Sequence, residues 1–325
     1  MNRRTRLVVA LARRLPHPEP PTDRYLARLR MAPPAPGLSR RLLGPVPRGI
    51  RVSDRTLPLD SGPRPARVYE PWPRTGERLP LVVNFHGGGF VFGNLAQTDW
   101  LCGQVASRVG AVVVSVSYRL APEFPAPVPY QDSWAATRWL LEHADELGAD
   151  PTRASVMGAS AGGNLAALVA LRHRDWCRSD AAVVPLRHQV LIYPATDLTL
   201  SSPSVEELSD APILTRAIMD WFGRRYLPQG LPESLDGGDP GVSPLFADHH
   251  DVAPALIFAA GQDPLRDDAV RYGRALDAAG VPNRLVSYPD AIHGFISMPR
   301  IAAEAALAVS AIVSTLTVPS RSPTH

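Results

Sequence analysis

The chain has 325 residues, of which 45% are hydrophobic and 20% charged, and its formal net charge is +3. This balance is typical of a globular protein with a large buried core and excludes a disordered or fibrous chain. Its two cysteines exclude a disulfide framework and a cysteine-based metal cluster. No run of eighteen apolar residues is present, and residues 7–12 are too short for a signal-peptide core. We therefore expect a cytoplasmic protein without an integral membrane segment.

The positive charge is concentrated at the start of the chain. Residues 1–51 contain twelve arginines and only two carboxylates, and all 34 basic residues of the chain are arginine. The uniform choice of arginine indicates a compositional bias rather than a site. Such an arm can touch an acidic surface or a membrane, but a solvated helical face is the simpler interpretation. No nucleic-acid-binding motif accompanies the charge, so we expect no nucleic-acid partner.

Short apolar runs alternate with helical patterns from residue 51 onward. The runs typical of strands are, in order, 51–57, 66–69, 81–85, 111–118, 155–158, 190–193, 255–260 and 284–288. Helical patterns lie between the later runs, at 98–109, 130–147, 161–172, 267–279 and 301–315. Strands that are apolar on both faces and alternate with helices predict a mostly parallel, doubly wound sheet with helices on both sides, which is an α/β fold.

One segment interrupts this alternation. Residues 201–238 contain a helical stretch, 214–226, between linkers rich in serine, glycine and proline. The pattern divides the chain into an N-terminal arm (1–50), a first core segment (51–200), an insertion (201–238), a second core segment (239–318) and a tail (319–325). We expect the arm and the insertion to form a cap over the carboxyl edge of the sheet.

The strongest local signal is Gly158-Ala159-Ser160-Ala161-Gly162. It fits G-x-S-x-G between a strand and a helix, the context in which this motif makes a sharp turn that exposes its serine. Small residues two before and two after the serine avoid collisions between Cβ atoms and the neighbouring backbone. The turn directs the amide of Ala161 at any oxyanion formed at Ser160. A simple turn in an alanine-rich chain is the alternative interpretation.

A second glycine-rich stretch, His86-Gly87-Gly88-Gly89-Phe90, follows the strand at 81–85. Consecutive glycines let the backbone approach a ligand and turn its amides outward, so this loop can complete an oxyanion hole. A phosphate-binding loop does not fit, because Phe92 occupies the last glycine position of G-x-G-x-x-G. A plain glycine-rich turn is the other interpretation, and we expect His86 to order the loop by hydrogen bonds.

A nucleophilic serine needs a histidine base and an acid that orients the histidine. His293 follows the last strand, where the base of a doubly wound hydrolase belongs. Asp263 begins the loop after the strand at 255–260, at the sheet edge where ligands bind in open α/β proteins. Asp197 follows an earlier strand and is a rival for the acid. Asp267 and Asp268 are expected on the following helix, pointing to solvent.

Five motifs together carry a resemblance to a known family. They are His86 to Phe90, Tyr118-Arg119-Leu120-Ala121-Pro122-Glu123, Gly158 to Gly163, Asp263-Pro264-Leu265 and His293-Gly294-Phe295. As a set, over residues 86–295, they resemble the hormone-sensitive-lipase-like esterases, the bacterial family IV carboxylesterases of the α/β-hydrolase superfamily. The resemblance implies an α/β-hydrolase core with a helical cap, and it implies no cofactor and no metal.

The resemblance also implies roles for particular residues. Among the loop glycines Gly87, Gly88 and Gly89, the latter two are the first choice to share the oxyanion with Ala161. Residues 118–123 and Asp132 match a stretch that braces the site.

Ala159 departs from the family, in which an acidic residue or threonine commonly precedes the serine. The departure leaves acyl transfer intact but leaves the subfamily and the preferred substrate open. We expect a serine hydrolase that cleaves small-molecule carboxylic esters with short or medium acyl groups, with Ser160, His293 and Asp263 as its catalytic residues. Other activities are possible at the same site: an amidase, a deacetylase, a lactonase, or a lyase or cyclase of a biosynthetic pathway. A non-catalytic receptor is disfavoured because His293 is present.

Overall fold

The computed structural model describes residues 44–74, 76–228 and 235–317. An eight-stranded sheet lies at its centre, in the order β1-β2-β4-β3-β5-β6-β7-β8. The strands are β1 Ile50–Leu57, β2 Arg64–Pro71, β3 Leu79–Phe85, β4 Val112–Val116, β5 Ala149–Ala159, β6 His188–Ile192, β7 Ala255–Gln262 and β8 Asn283–Ile292. The pairs β1–β2 and β2–β4 are antiparallel, and every other neighbouring pair is parallel. The predicted α/β architecture with a mostly parallel sheet is confirmed.

Helices cover both faces of the sheet. They are α1 Asp99–Val105, α2 Val128–Glu142, α3 Ala161–Ser179, α6 Arg266–Ala278 and α7 Ala303–Thr317, and the insertion contains two further helices, α4 Pro203–Glu207 and α5 Arg216–Tyr226. Successive strand residues point to opposite faces, so Val83 belongs to the hydrophobic cluster that includes residues of α2, α3 and α6, whereas Val82 belongs to the cluster that includes residues of α1 and α7. Within the described ranges, no helix combines the length and the apolar character that crossing a membrane requires.

Several elements are longer than the sequence predicts. Strand β5 begins at Ala149, because Ala149 and Asp150 pair with Leu79 and Pro80 before the register shifts. Asp150 is a poor strand former, and together with a neighbouring proline it hides this part of the strand in the sequence. The insertion contains the short helix α4 in addition to the predicted helix, which the structure gives as α5.

The division of the chain into an arm, a core, an insertion and a tail stays a prediction. Most of the arm, residues 1–43, lies outside the described residues, as do 229–234 of the insertion and the tail.

Asp132, on α2, is fully buried and joins three parts of the chain. Arg64, at the start of β2, donates to it through Nε at 2.8 Å. Arg119, just after β4, donates through its backbone amide at 3.0 Å, through Nε at 2.8 Å and through Nη2 at 2.7 Å. Burial opposes the charged form, but the hydrogen bonds from Arg119 and Arg64 outweigh it and hold the pKa of Asp132 below its usual range.

We expect Asp132→Asn to lower the free energy of unfolding by about 3 kcal/mol, because it leaves the buried Arg64 and the partly buried Arg119 without their shared carboxylate. Urea denaturation measures this loss. Asp145→Asn is the control, because Asp145 and Arg78 form an ion pair in which both side chains are more than half exposed. Such pairs contribute little, so its unfolding midpoint should not move.

The contribution of Asp132 should also depend on pH. Its folded pKa lies below the unfolded value of 3.8, so the stabilisation is complete above about pH 5 and is lost as the pH falls through the folded pKa. The difference in unfolding free energy between wild type and Asp132→Asn should therefore shrink on acidification. A difference that grows as the pH falls would contradict a charged Asp132 in the folded protein.

Candidate active site

Ser160 lies at the turn between β5 and α3. The turn has no space for a side chain two residues before or two residues after Ser160. Its φ of +57° and ψ of −122° are unfavourable for a residue with a Cβ, at a cost of about 1–3 kcal/mol. A Cβ on Gly158 would overlap the backbone of Gly162, and a Cβ on Gly162 would overlap the carbonyl group of Phe85. The amide of Ser160 donates to the carbonyl oxygen of Ile192 at 2.9 Å, which ties the turn to β6. The serine is thereby held at the carboxyl edge of the sheet.

The three side chains predicted to be catalytic form one hydrogen-bonded chain. Ser160 Oγ lies 3.0 Å from His293 Nε2, and His293 Nδ1 lies 2.7 Å from Asp263 Oδ2. A carboxylate only accepts, so Nδ1 carries the hydrogen and Nε2 accepts from the serine hydroxyl. Asp263 is fully buried, and its Oδ1 accepts the amide of Leu265 at 2.9 Å. This second hydrogen bond fixes the rotation of the carboxylate, with one oxygen facing the histidine.

A bulge at the end of β8 brings the aspartate and the histidine level with each other. Ala260 of β7 lies opposite Tyr288 of β8, but the next pair is Gln262 opposite Ile292. One residue of β7 therefore faces three of β8. The predicted acid directly follows Gln262, and the predicted base directly follows Ile292.

Gly261 makes this bulge possible. A Cβ at this position would overlap the backbone of Pro289, so the two strands approach too closely for any side chain. The sequence predicts that the last strand ends at residue 288, because Pro289 and Asp290 are poor strand formers. The structure instead continues β8 through both residues to Ile292, directly before the histidine.

The glycine loop after β3 lies against the serine turn. A Cβ on Gly87 would come within 2.9 Å of the carbonyl oxygen of Ala159. Gly88 and Gly89 have φ of +123° and +60°, which glycine adopts readily. The amide of Ala161, the first residue of α3, has no acceptor within its own helix, as is usual in a first helical turn. The loop and the helix start thus flank Ser160.

His86 is buried beneath this loop. Its Nδ1 lies 2.9 Å from the carbonyl oxygen of Gly87, and its ring stacks on Tyr118 at 4.3 Å. The hydroxyl of Tyr118 donates to the carbonyl oxygen of His86 at 2.7 Å. Burial lowers the pKa of His86 to about 4, so the ring is neutral near pH 7 and Nδ1 donates to the loop carbonyl. These contacts give His86 a part in ordering the loop.

The expectation that Asp268 points to solvent is wrong. Asp268 is fully buried: Oδ2 accepts the amides of Thr196 and Asp197 at 2.9 and 3.0 Å, and Oδ1 accepts the hydroxyl of Ser202 at 2.5 Å. The segment after β6 folds over the start of α6 and supplies these donors. Burial raises the pKa of Asp268 to about 7, although the donors act in the opposite direction.

The other two carboxylates are bound elsewhere. Asp197 is buried and accepts hydrogen bonds from Arg271 at 2.5 Å and from Ser201 at 2.6 Å. Asp267 is partly exposed and pairs with Arg266 at 2.8 Å. His293 Nδ1 faces Asp263 instead.

Helix α4 of the insertion is hydrogen bonded to the loop that carries the predicted acid. Ser204 Oγ donates to the carbonyl oxygen of Pro264 at 2.6 Å and accepts the amide of Asp267 at 3.1 Å. The amide of Ser204 donates to the carboxylate of Asp267 at 3.0 Å. We call these contacts the cap seam. No local sequence pattern indicates it, because its two sides are about sixty residues apart.

A cavity of about 400 Å³ opens onto Ser160 and His293. Its walls are mostly apolar, and the insertion supplies many of them through Leu214, Ile218, Met219, Trp221, Phe222 and Tyr226. In the described part of the chain, no group of three or more histidine, cysteine, aspartate or glutamate residues could hold a metal ion.

The chain matches known proteins over most of its length. A family model described as the alpha/beta hydrolase fold matches residues 82–297. Esterase LipI of Mycobacterium tuberculosis is 43% identical over 256 residues, which cover 78% of this chain and 77% of the relative. A solved esterase of Pyrobaculum calidifontis is 44% identical with a TM-score of 0.75, and the match covers 82% of this chain and 84% of the other.

A second solved structure matches the chain almost end to end. An ester hydrolase from the metagenome of Lake Arreo is 32% identical with a TM-score of 0.82, and the match covers 98% of both chains. The fold, the family model and these relatives agree with one another. The chain belongs to the α/β-hydrolase family, among the hormone-sensitive-lipase-like carboxylic ester hydrolases.

Proposed function

We propose that this ester hydrolase acts on small-molecule esters with short or medium acyl groups, through an acyl-enzyme formed on Ser160. The observation that carries the proposal is the chain of hydrogen bonds from Ser160 through His293 to Asp263, in which no link is longer than 3.0 Å. The mostly apolar cavity that Ser160 and His293 line supports a small substrate, because about 400 Å³ is within the range of small-molecule sites.

In the first half of the reaction, Ser160 Oγ attacks the ester carbonyl carbon while His293 Nε2 takes the hydroxyl proton. Asp263 stabilises the imidazolium that forms. The negative charge on the carbonyl oxygen is bound by the amides of Gly88, Gly89 and Ala161, and each such donor lowers the barrier by roughly 3 kcal/mol. The tetrahedral intermediate then collapses, and the leaving alcohol receives its proton from His293.

In the second half, water replaces the alcohol. His293 Nε2 takes a proton from the water, whose oxygen attacks the acyl carbon of the acyl-enzyme. The second intermediate expels Ser160 Oγ, which regains a proton from His293, and the carboxylic acid leaves. Both halves use the same three side chains, and no cofactor enters either of them.

We expect Ser160→Ala to lower turnover of p-nitrophenyl butyrate by at least ~10⁴-fold, because it removes the nucleophile. A fluorophosphonate probe should label the wild type at Ser160 and leave the variant unlabelled. Ser179→Ala, at the exposed end of the same helix, should keep both the activity and the labelling. A folded Ser160→Ala variant that retains more than a few per cent of activity would rule out this nucleophile.

We expect Asp263→Asn to lower kcat by at least ~100-fold, because an amide that donates to His293 favours the tautomer in which Nε2 carries the hydrogen and cannot accept the serine proton. Asp267→Asn, four residues along the chain, is the control and should change kcat by less than ~5-fold. Steady-state kinetics on one aryl ester measures both. If Asp267→Asn lowered kcat strongly and Asp263→Asn left kcat nearly unchanged, the acid would be misassigned.

The bond that is cleaved can be tested with the same enzyme. A panel of aryl esters, matched anilides and lactones of equal acyl length compares ester, amide and lactone hydrolysis directly. We expect the aryl esters to be turned over fastest, because a phenol leaves the tetrahedral intermediate more readily than an aniline or the alkyl alcohol of a lactone. Faster turnover of the anilides or lactones would replace the ester proposal with one of those activities.

A further inference from the structure

Phe90, which ends the glycine loop, has an unusual backbone conformation. Its φ is +63°, in the left-handed region that bulky side chains avoid. Gly88 and Gly89, which directly precede it, also have positive φ, so the three residues form one continuous left-handed stretch. A strained residue of this kind persists only where its surroundings hold it in place. If Phe90 relaxed, the amides of the two glycines would change direction.

The cap helix α5 provides one of the contacts that hold Phe90. The ring of Tyr226 stacks on the ring of Phe90 with centroids 3.9 Å apart and planes 7° apart. Both side chains are buried, with at most 4% of either exposed. The core supports each partner, because the amide of Ala121 donates to the carbonyl oxygen of Phe90 and the amide of Ala126 donates to that of Tyr226.

Phe222, one helical turn before Tyr226, provides the second contact. Its ring fills the position that a Cβ on Gly89 would occupy. The same ring packs at a tilt against Phe92, with centroids 5.5 Å apart. Residues four apart share one face of a helix, so Phe222 and Tyr226 together press this face of α5 onto the loop.

We propose that Phe222 and Tyr226 are positioning residues of the reaction. They hold Gly89 and Phe90 in the left-handed conformation and thereby keep the loop amides directed at the oxyanion. The inference rests on the proposed function, in which the amides of Gly88 and Gly89 bind that charge. The inserted segment then contributes to the rate of the chemical step as well as to the walls of the cavity.

The aromatic ring of Tyr226, and not its hydroxyl, carries this role. Within the described residues, the buried hydroxyl has no hydrogen-bond partner. Tyr226→Phe preserves the stacked ring, whereas Tyr226→Leu keeps an apolar side chain but removes the flat surface on which Phe90 rests. The two substitutions therefore separate the contact from the loss of a polar group.

The test is steady-state kinetics of the whole chain on p-nitrophenyl acetate, whose acyl group is minimal. We expect Phe222→Ala and Tyr226→Leu to lower kcat by at least ~10-fold with KM changed by less than ~3-fold, because misdirected donors weaken binding of the transition state. Tyr226→Phe should restore kcat to within ~2-fold of wild type.

Val205→Ala is the control for packing within the insertion. Val205 is buried on α4, in a separate cluster with Ala195, Leu214, Met219 and Leu265. Its truncation should leave kcat within ~2-fold of wild type. Should Phe222→Ala fail to fold, the comparison of Tyr226→Leu with Tyr226→Phe still decides the question.

A second readout reports on the oxyanion directly. Ser160 Oγ adds reversibly to the carbonyl carbon of a trifluoromethyl ketone. The carbonyl oxygen becomes the oxyanion, and His293 takes the proton of the serine hydroxyl. Its inhibition constant should rise in Phe222→Ala and Tyr226→Leu by the same factor by which kcat/KM falls.

Two results would overturn the proposal. The first is a raised KM with unchanged kcat, because the rings would then contact only the substrate. The second is an equal loss of kcat in Val205→Ala. Failure of the proposed function itself gives a different result, because the wild type would then fail to react with the fluorophosphonate or to hydrolyse the ester.

Discussion

The close approach of helix α3 to the sheet at Ser160 is the constraint on which the rest of the site depends. No side chain fits at Gly158 or Gly162, and the carbonyl group against which Gly162 packs belongs to Phe85, the last residue of β3. The turn, the start of the helix and the glycine loop therefore meet within a few ångströms. The strain at Ser160 is held by a strand and a helix that are both deeply buried, so the turn cannot relax without disturbing the core.

The insertion reaches the predicted machinery from two sides by different kinds of contact. The cap seam is polar: Ser204 exchanges hydrogen bonds with the segment that follows Asp263. The contact with the glycine loop is aromatic, through Phe222 and Tyr226. The inserted segment thus contacts both the loop of Asp263 and the glycine loop. Phe222 and Tyr226 line the cavity and also contact the glycine loop.

Much of the fold could be predicted from the sequence, because its elements are specified locally. Buried strands appear in the sequence as apolar runs, and the G-x-S-x-G motif indicates a sharp turn. The sheet, its helices and the position of Ser160 can therefore be predicted from residues that are close together in the chain. The pairing of Asp263 with His293 is a prediction from strand order, and the distances in the structure agree with it. Their catalytic roles stay predictions until the variants are measured.

The remaining features depend on partners that are distant in the chain. Nothing near Asp268 in the sequence indicates that the segment after β6 will cover it and donate to it. The contacts of Phe222 and Tyr226 with the glycine loop and Phe92 join residues at least 130 positions apart. Strand β8 extends past Pro289 because its pairing with β7, interrupted at the bulge, resumes where Ile292 lies opposite Gln262.

The bulge in β8 has a consequence for how this region can change. It adds two residues to one strand, and because side chains alternate with a period of two, an even number keeps His293 on the face that Asp263 uses. Insertion or deletion of a single residue between Tyr288 and His293 would turn the imidazole to the opposite face of the sheet. Exchanging one side chain for another in the bulge leaves that parity unchanged. By this argument, the stretch between the last regular strand pair and the histidine can change its length only by an even number of residues.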